Sequence, residues 1–384
     1  MEITLTADKA TFFSMSPIPK RLNPARRKKF PPYGLRKVEA IFNKKGFQVY
    51  ISEPMSIKEG IIGLYVNDPF GMTEISRAIH EIFGEPPLQV TSFAELSAMI
   101  SRRKDEGQNI RVVVGGPGAW EIAMRDAPWV NTVVLGEAET LSVCDILKGG
   151  KVVKTRRAKE EEFVSIIKPS SSPDVEISRT GRRIPLNVIE QEIKVQLRKH
   201  RDINLITDDI LLWGEQLKPL LRLAKLGKKV TFSQISSERF SEDLVKTIKE
   251  ELNLNENNWR SPVLASNGCV LQRVPDVIKI LNYHFIYPIM FVKEEMAEEA
   301  LQFKAIVVPI PSTENYFDVL YKVWLVEKRF LRIPFSSLID VILQKAKETR
   351  GEYLRKLNIR GLGSLNLVTI ILEGFINSIR LRTS

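Results

Sequence analysis

The chain has 384 residues, 43 % of them apolar and 27 % charged, the balance of a soluble globular protein long enough for two domains. Its 57 basic residues against 46 acidic ones leave a net charge of +11, which favours a polyanionic partner such as RNA or the ribosome. No apolar run approaches the ~20 residues of a membrane span, and Met1 to Ala10 hold no signal-peptide core, so a cytoplasmic protein with no membrane association is expected.

The apolar spacing of Leu35, Val38, Ile41 and Phe42 predicts a helix over Gly34–Phe47, stopped at Gly46, and "QVYIS" follows as a strand. "GIIGLYV" at Gly60–Val66 reads as a buried strand, and a helix capped by Thr73 is expected to turn Ile75, Ile79, Ile82 and Phe83 inward. "IRVVVGGPGAWEIAM" gives strand, glycine turn and helix, and "VNTVVLGEAETLSVCDIL" repeats that order. Strands alternating with helices at this spacing point to a parallel α/β sheet. Gly115 and Gly116 would let the backbone approach a ligand at a strand's carboxyl end, although the turn lacks the GxGxxG spacing of a dinucleotide site and serves equally as a structural turn.

Farther along, Val175–Ser178 is a strand, and an amphipathic helix with Val188, Ile189, Ile193 and Leu197 begins at Pro185. Strands at Ile203–Ile206 and Val230–Gln234 alternate with helices around Gln216–Ala224 and from Ser241. Asp208 and Asp209 lie at a strand's carboxyl end; as a pair they suit acid-base or magnesium chemistry, and Asp209 alone suits a helix cap. His284 falls in the strand-like "YHFIYPIMF"; His80, His200 and His284 form no catalytic constellation. From Ala305 a strand, a proline turn and a helix bearing Phe317, Leu320, Val323 and Trp324 lead to a second helix, then to a tail with a glycine joint at Gly361–Gly363 and an apolar helix with Ile370, Ile371, Phe375 and Ile379.

The two glycine segments carry a resemblance. "RVVVGGPGAW" with "VNTVVLGEAETL" is similar to the paired loops of the cobalamin-binding-type domain at the N-terminus of many radical SAM enzymes, where they read GG-P-H and GE-G-E. "LTADKATFF", "FPPYGLRKVEAIFNKKGF" and "NDPFGMTEIS" resemble an archaeal-type subgroup of the same family. The resemblance implies Gly115, Gly116, Pro117, Gly136 and Glu137 as cobalamin-type contacts, while the D-x-H-x-x-G motif of an axial histidine is missing, Asp68 being followed by Pro69, Phe70 and Gly71. It implies a Rossmann-like domain over residues 1–158 with a basic N-terminal loop, a partial or full TIM-like barrel over 165–345, and a helical extension over 346–384.

In this family the first barrel strand leads into a C-x-x-x-C-x-x-C loop and then a helix. Here "VEISR" joins almost directly to "TGRRIPLNVIEQEIK", both flanks present and the cysteine loop gone. The two cysteines, Cys144 and Cys269, are too few and too far apart to replace it, so no iron-sulfur cluster is expected. The missing loop together with the +11 charge then points to a non-catalytic protein that binds RNA, the ribosome or a protein partner, with Arg21, Arg26, Arg27, Lys28, Lys29, Arg156 and Arg157 as candidate nucleic-acid contacts, although each basic run taken singly reads equally as a solvated linker. Two alternatives stay open: a methyltransferase using cobalamin or SAM without radical initiation, and the inactive subunit of a heteromer with a cysteine-bearing relative.

Overall fold

The first strand, β1 (Glu2–Ala7), places Ile3, Leu5 and Ala7 in the core, and it runs straight into a short helix, α1 (Lys9–Phe12), capped by Asp8. The structure, a computed structural model, describes residues 1–15, 30–125, 127–265, 274–311, 314–331 and 336–360. Arg21, Arg26, Arg27, Lys28, Lys29, Cys269, the expected glycine joint at Gly361–Gly363 and the residues of the expected tail helix lie outside the described residues.

After α2 (Tyr33–Lys44) and β2 (Gln48–Ile51) come β3 (Gly60–Tyr65), α3 (Glu74–Phe83), α4 (Leu88–Asp105), β4 (Ile110–Gly115), α5 (Ala119–Met124), β5 (Thr132–Leu135), α6 (Val143–Lys148) and β6 (Val152–Lys154). The strands make one parallel sheet in the order β2-β1-β3-β4-β5-β6, with Thr4 opposite Ile62 and Ile62 opposite Val112. Period-two alternation sorts β4 between two cores. Val112 and Val114 pack with Phe93, Leu96 and Ile100 of α4, whereas Val113 faces Leu35, Ile41 and Phe42 of α2. Helices on both faces of an open parallel sheet, with the strand order reversing between β1 and β3, make this a Rossmann-like doubly wound unit.

The second half begins with β7 (Asp174–Glu176), followed by a two-residue-per-arm antiparallel hairpin, β8 (Ser178–Arg179) and β9 (Arg182–Arg183), and α7 (Leu186–Gln196). Next come β10 (Ile203–Ile206), α8 (Leu217–Ala224), β11 (Val230–Phe232), β12 (Gln234–Ser236), α9 (Glu242–Leu252), β13 (Val263–Ala265), α10 (Val274–Tyr283), β14 (Ile289–Lys293), α11 (Glu294–Ala300) and β15 (Ile306–Ile310). All except the hairpin pair in parallel, β7 with β10 and β11 in one sheet and β12 through β15 in another. Ser233 stitches the two sheets: its N–H donates to the Leu205 carbonyl and its carbonyl accepts from Val263 N–H. The parallel strands therefore neighbour one another in chain order, around a core that includes Trp213, Leu220 and Ile235. Helices α12 (Tyr316–Leu331), α13 (Ser336–Glu348) and α14 (Glu352–Arg360) complete the described chain.

Three details differ from the sequence expectations. Helix α3 is not sunk in a core: Ile75 is 52 % exposed and Ile79, Ile82 and Phe83 are half-buried. Ile82 packs at the edge of a cluster with Tyr316 and Phe317, and Glu81 pairs with Arg355 of α14, so α3 serves as a bridge to the second half. His284 lies in the turn after α10, ahead of β14, because Phe285 takes a left-handed φ of 60° that breaks any extended run. The strands β1, β6 and β13 and the helices α1, α4, α10, α11 and α14 have no counterpart in the sequence reading. The spacing of the apolar residues Phe93, Leu96 and Ile100 could have signalled α4.

No described helix is long and apolar enough to cross a membrane.

Candidate functional site

The glycine segments sit at the carboxyl edge of the six-stranded sheet, where open α/β sheets bind ligands. Close approach of neighbouring backbone explains two of the glycines. Gly116 has φ +110°, and a Cβ there would stand 2.5 Å from the Val66 carbonyl oxygen. Gly136 has φ +123°, and its Cβ would meet the Thr155 hydroxyl and, at 2.7 Å, the Thr155 carbonyl. Gly115 is under no such pressure, and Pro117 is exposed. Beneath the loops Gly115, Gly116 and Gly136 line an apolar cavity of about 60 Å³ with Leu35, Tyr65 and Leu141. That is room for only a few water-sized groups. That cavity is too small to hold a corrin-sized group.

Asp68, in the loop after β3, is held internally. It accepts from Met72 N–H at 2.9 Å and from the hydroxyls of Thr73 and Ser76. Beside it Glu121 of α5, fully buried, accepts from Phe70 N–H at 2.8 Å, and burial pushes its carboxyl up to about 7.

The acidic residues after β5 have partners from the other half. Glu137 accepts from Ala158 N–H at 2.7 Å and pairs with Arg182 of the β8–β9 hairpin. Arg179 of the same hairpin donates both bonds from Nη1 to the Glu139 carboxylate at 3.0 Å, and from Nε and Nη2 to Glu176 at 2.7 and 2.6 Å. Burial opposes its charge, but the bonds to Glu176 and the carboxylates of Glu139 and Glu137 outweigh that and raise its pKa. Phe163 lies beneath both guanidinium groups, at 5.5 and 5.7 Å. The network continues through α2: Lys37 pairs with the fully buried Glu192 at 2.7 Å, and the Tyr33 hydroxyl donates to the same carboxylate at 2.6 Å. A hairpin of six residues thus fastens one half of the protein to the other with paired, partly buried charges.

A second cavity, about 380 Å³, opens at the carboxyl ends of β10, β12 and β13. Gly181, Asp208, Asp209, Gln234, Glu238 and Arg239 are among its lining residues. Asp208 is tied to the hairpin through the Ser178 hydroxyl and, at 2.5 Å, Gly181 N–H. Asp209, 4 % exposed, caps the following turn: its Oδ1 accepts from Leu211 N–H at 3.0 Å and Ser236 N–H at 3.1 Å. Its Oδ2 is buried with no partner among the described residues, and burial raises its pKa. The two adjacent aspartates therefore play unequal parts, one holding the hairpin and the other caught between a cap and an unsatisfied oxygen.

Of the candidate nucleic-acid contacts within the described residues, Arg156 and Arg157 are both exposed. Arg156 is held in a fork by Glu162, at 2.7 and 2.5 Å, and Arg157 presents its side chain on the surface. Cys144 is exposed and alone, and no group of three or more His, Cys, Asp or Glu side chains that could hold a metal occurs among the described residues. Sequence reading missed a further basic patch, formed where Arg201 in the loop before β10 meets Lys228 and Lys229 before β11. The signal was present as "RKHRD" and "LGKK", but their adjacency requires the parallel pairing of β10 with β11.

The fold and this site define an α/β protein of two parallel-sheet halves joined through an arginine hairpin. No family model matches the chain, and no curated protein matches it in sequence.

Proposed function

We propose that this chain is a radical SAM-superfamily protein that has exchanged its cluster loop for a structural clamp and acts as a non-catalytic binding protein whose partner is RNA, free or on the ribosome. The observation that carries the reading is the β8–β9 hairpin. It stands between β7 and α7, where the family resemblance places the cysteine loop, and its residues Ser178–Arg183 include no thiol. A four-iron cluster needs three thiolates there. Arg179 and Arg182 instead engage Glu137, Glu139 and Glu176. The serial order of parallel strands from β7 to β15, with β11 running on into β12 through Ser233 and the other successive parallel strands joined through helices, supports reading the second half as an open TIM-like barrel. The net charge of +11 supports a polyanionic partner.

The test is fluorescence anisotropy of a labelled single-stranded RNA across a salt series, with protein purified free of nucleic acid. Binding at near-physiological salt, weakening linearly in log-log form, is expected; no binding under those conditions overturns the RNA reading. A second reading, methyl transfer with SAM or cobalamin, is favoured by the 380 Å³ cavity bearing Asp208 and Asp209. Calorimetric titration with SAM, and cobalt content after reconstitution with cobalamin, decide it. A third, the inactive subunit of a heteromer, is decided by whether a cysteine-bearing relative copurifies from native cells.

A further inference from the structure

The amino ends of β10 and β11 lie opposite the aspartate cavity, at the other end of the same strands. Their two preceding loops are bound together: Lys228 N–H donates to the Arg201 carbonyl at 2.7 Å and Ile203 N–H to the Lys229 carbonyl at 2.9 Å. Between these loops and the end of α9 opens a cavity of about 530 Å³, a volume in the range of small-molecule sites. Its walls carry five cationic side chains, Arg201, Lys225, Lys228, Lys229 and Arg260, against two carboxylates, Asp202 and Glu251. Glu251 is already shared among Lys218, Arg222 and Lys225 at 3.3–3.8 Å. Among the described residues no carboxylate lies within ion-pair distance of Arg201, Lys228, Lys229 or Arg260.

Arg260 sets this cavity apart from a solvated basic rim. The residue is 4 % exposed, and an arginine so little exposed is ordinarily matched by an acid. Here its Nε donates to the Val230 carbonyl at 2.5 Å, and its Nη1 to Asn258 Oδ1 at 2.7 Å and the Trp259 carbonyl at 2.8 Å. Those acceptors fix the plane of the group and supply no negative charge. Nη2 has no acceptor among the described residues. Burial alone acts on its pKa, lowering it, as expected for a cation without a counter-ion.

We propose that this cavity binds a phosphate group, Arg260 supplying an oriented donor from within and Lys228, Lys229 and Arg201 closing over it from the rim. A planar, fixed guanidinium suits a tetrahedral oxyanion, and the flexible lysines add charge without demanding one geometry. The phosphate of a small phosphoester and that of an RNA backbone share this chemistry. The RNA case rests on the reading proposed above, whereas the small-molecule case stands without it.

The experiment uses the full chain and two probes, inorganic pyrophosphate by calorimetry at low salt and the labelled single-stranded RNA by anisotropy. The variants are Arg260→Gln and, because loss of a buried arginine can impair folding, the surface variant K228Q/K229Q. Lys279→Gln on α10, an exposed lysine that does not line the cavity, controls for the loss of one positive charge, as in Arg260→Gln. Pyrophosphate is expected to bind the native protein, with affinity lowered about tenfold or more in each cavity variant and unchanged in Lys279→Gln. If the same variants weaken RNA as well, the site serves a backbone phosphate. If RNA affinity stays level, or RNA does not bind at all, while pyrophosphate binding falls, the site serves a small phosphoester. Absence of pyrophosphate binding, or binding that K228Q/K229Q leaves unchanged, overturns the proposal.

Discussion

Arg179→Met removes the centre of the clamp while keeping an apolar stem of similar length over Phe163. Four charge-assisted hydrogen bonds are lost, two to Glu139 at 3.0 Å and two to Glu176 at 2.7 and 2.6 Å. The Glu139 side chain is 1 % exposed and Glu176 14 %, so both carboxylates are left in poor contact with water. Taking one partner from a buried pair costs about 3–5 kcal/mol. The arginine itself is 23 % exposed, which lets some solvent in and places the expectation near the lower end, about 3 kcal/mol. At roughly 2–4 °C per kcal/mol for a unit of this size, Tm falls by about 6–12 °C. Urea denaturation followed by circular dichroism, alongside calorimetry, measures both. Arg179→Lys keeps the charge without the fork and should recover less than half of the loss. The double variant R179M/E139Q should be more stable than the sum of its parts, since the carboxylate no longer lies unpaired. A loss below about 1 kcal/mol in Arg179→Met, with additive behaviour in the double variant, would refute the claim that the hairpin fastens the two halves.

Glu121 and Glu327 are both buried with carboxyls raised to about 7 from 4.5, Glu121 in the loop network after β3 and Glu327 accepting from Val307 N–H at the edge strand β15. Because the folded pKa exceeds the unfolded one, their contribution is fully present below pH 4.5 and is lost as pH rises through 7, by up to about 3 kcal/mol each. Glu121→Gln and Glu327→Gln should each flatten that fall in denaturation curves taken between pH 4.5 and 8; a difference from native that is independent of pH counts against the assignment. His284 has the opposite sign: burial holds its pKa below the usual 6.5, so stability is lost as pH falls below 6.5. Both its ring nitrogens are buried with no partner among the described residues, and His284→Leu should stabilise by about 1 kcal/mol and remove that acid sensitivity, as read by chemical denaturation at pH 5 and 7. Gly116→Ala and Gly136→Ala should each cost about 2–4 kcal/mol through strained φ and backbone collision, with no accompanying loss of RNA affinity in the folded fraction. Variants that fold with native stability would return these glycines to a ligand-contact role.

Much of the fold is local and was legible in the chain. The spacing of Leu35, Val38, Ile41 and Phe42, the cap at Thr73 and the apolar runs of β3, β4, β5 and β10 follow from periodicities that depend only on residues a few positions apart. The alternation of strand and helix, with glycine turns after β4 and β5, fixed an α/β protein with a parallel sheet before any contact was known. The join at "VEISRTGRRIP" was equally visible as a strand meeting a helix with no cysteine loop between them.

What the join does, however, depends on tertiary structure. Arg179 and Arg182 read as two charges in a short turn; that they meet Glu137 and Glu139, some forty residues earlier, follows from the two halves packing strand end to strand end. The glycines that looked poised for a ligand meet the backbone of Val66 and Thr155, contacts set by which strands stand side by side. Helix α3 carries an apolar face that the sequence assigned to a core, and packing spent it on a partly exposed bridge to α14. The cation cavity was invisible because Arg201, Lys228 and Arg260 are brought together only through the pairing of β10 with β11 and the burial of one arginine beneath them. Periodicity fixes which face of an element is apolar; which charge faces which is a property of long-range pairing, and that is where the chemistry of this protein was decided.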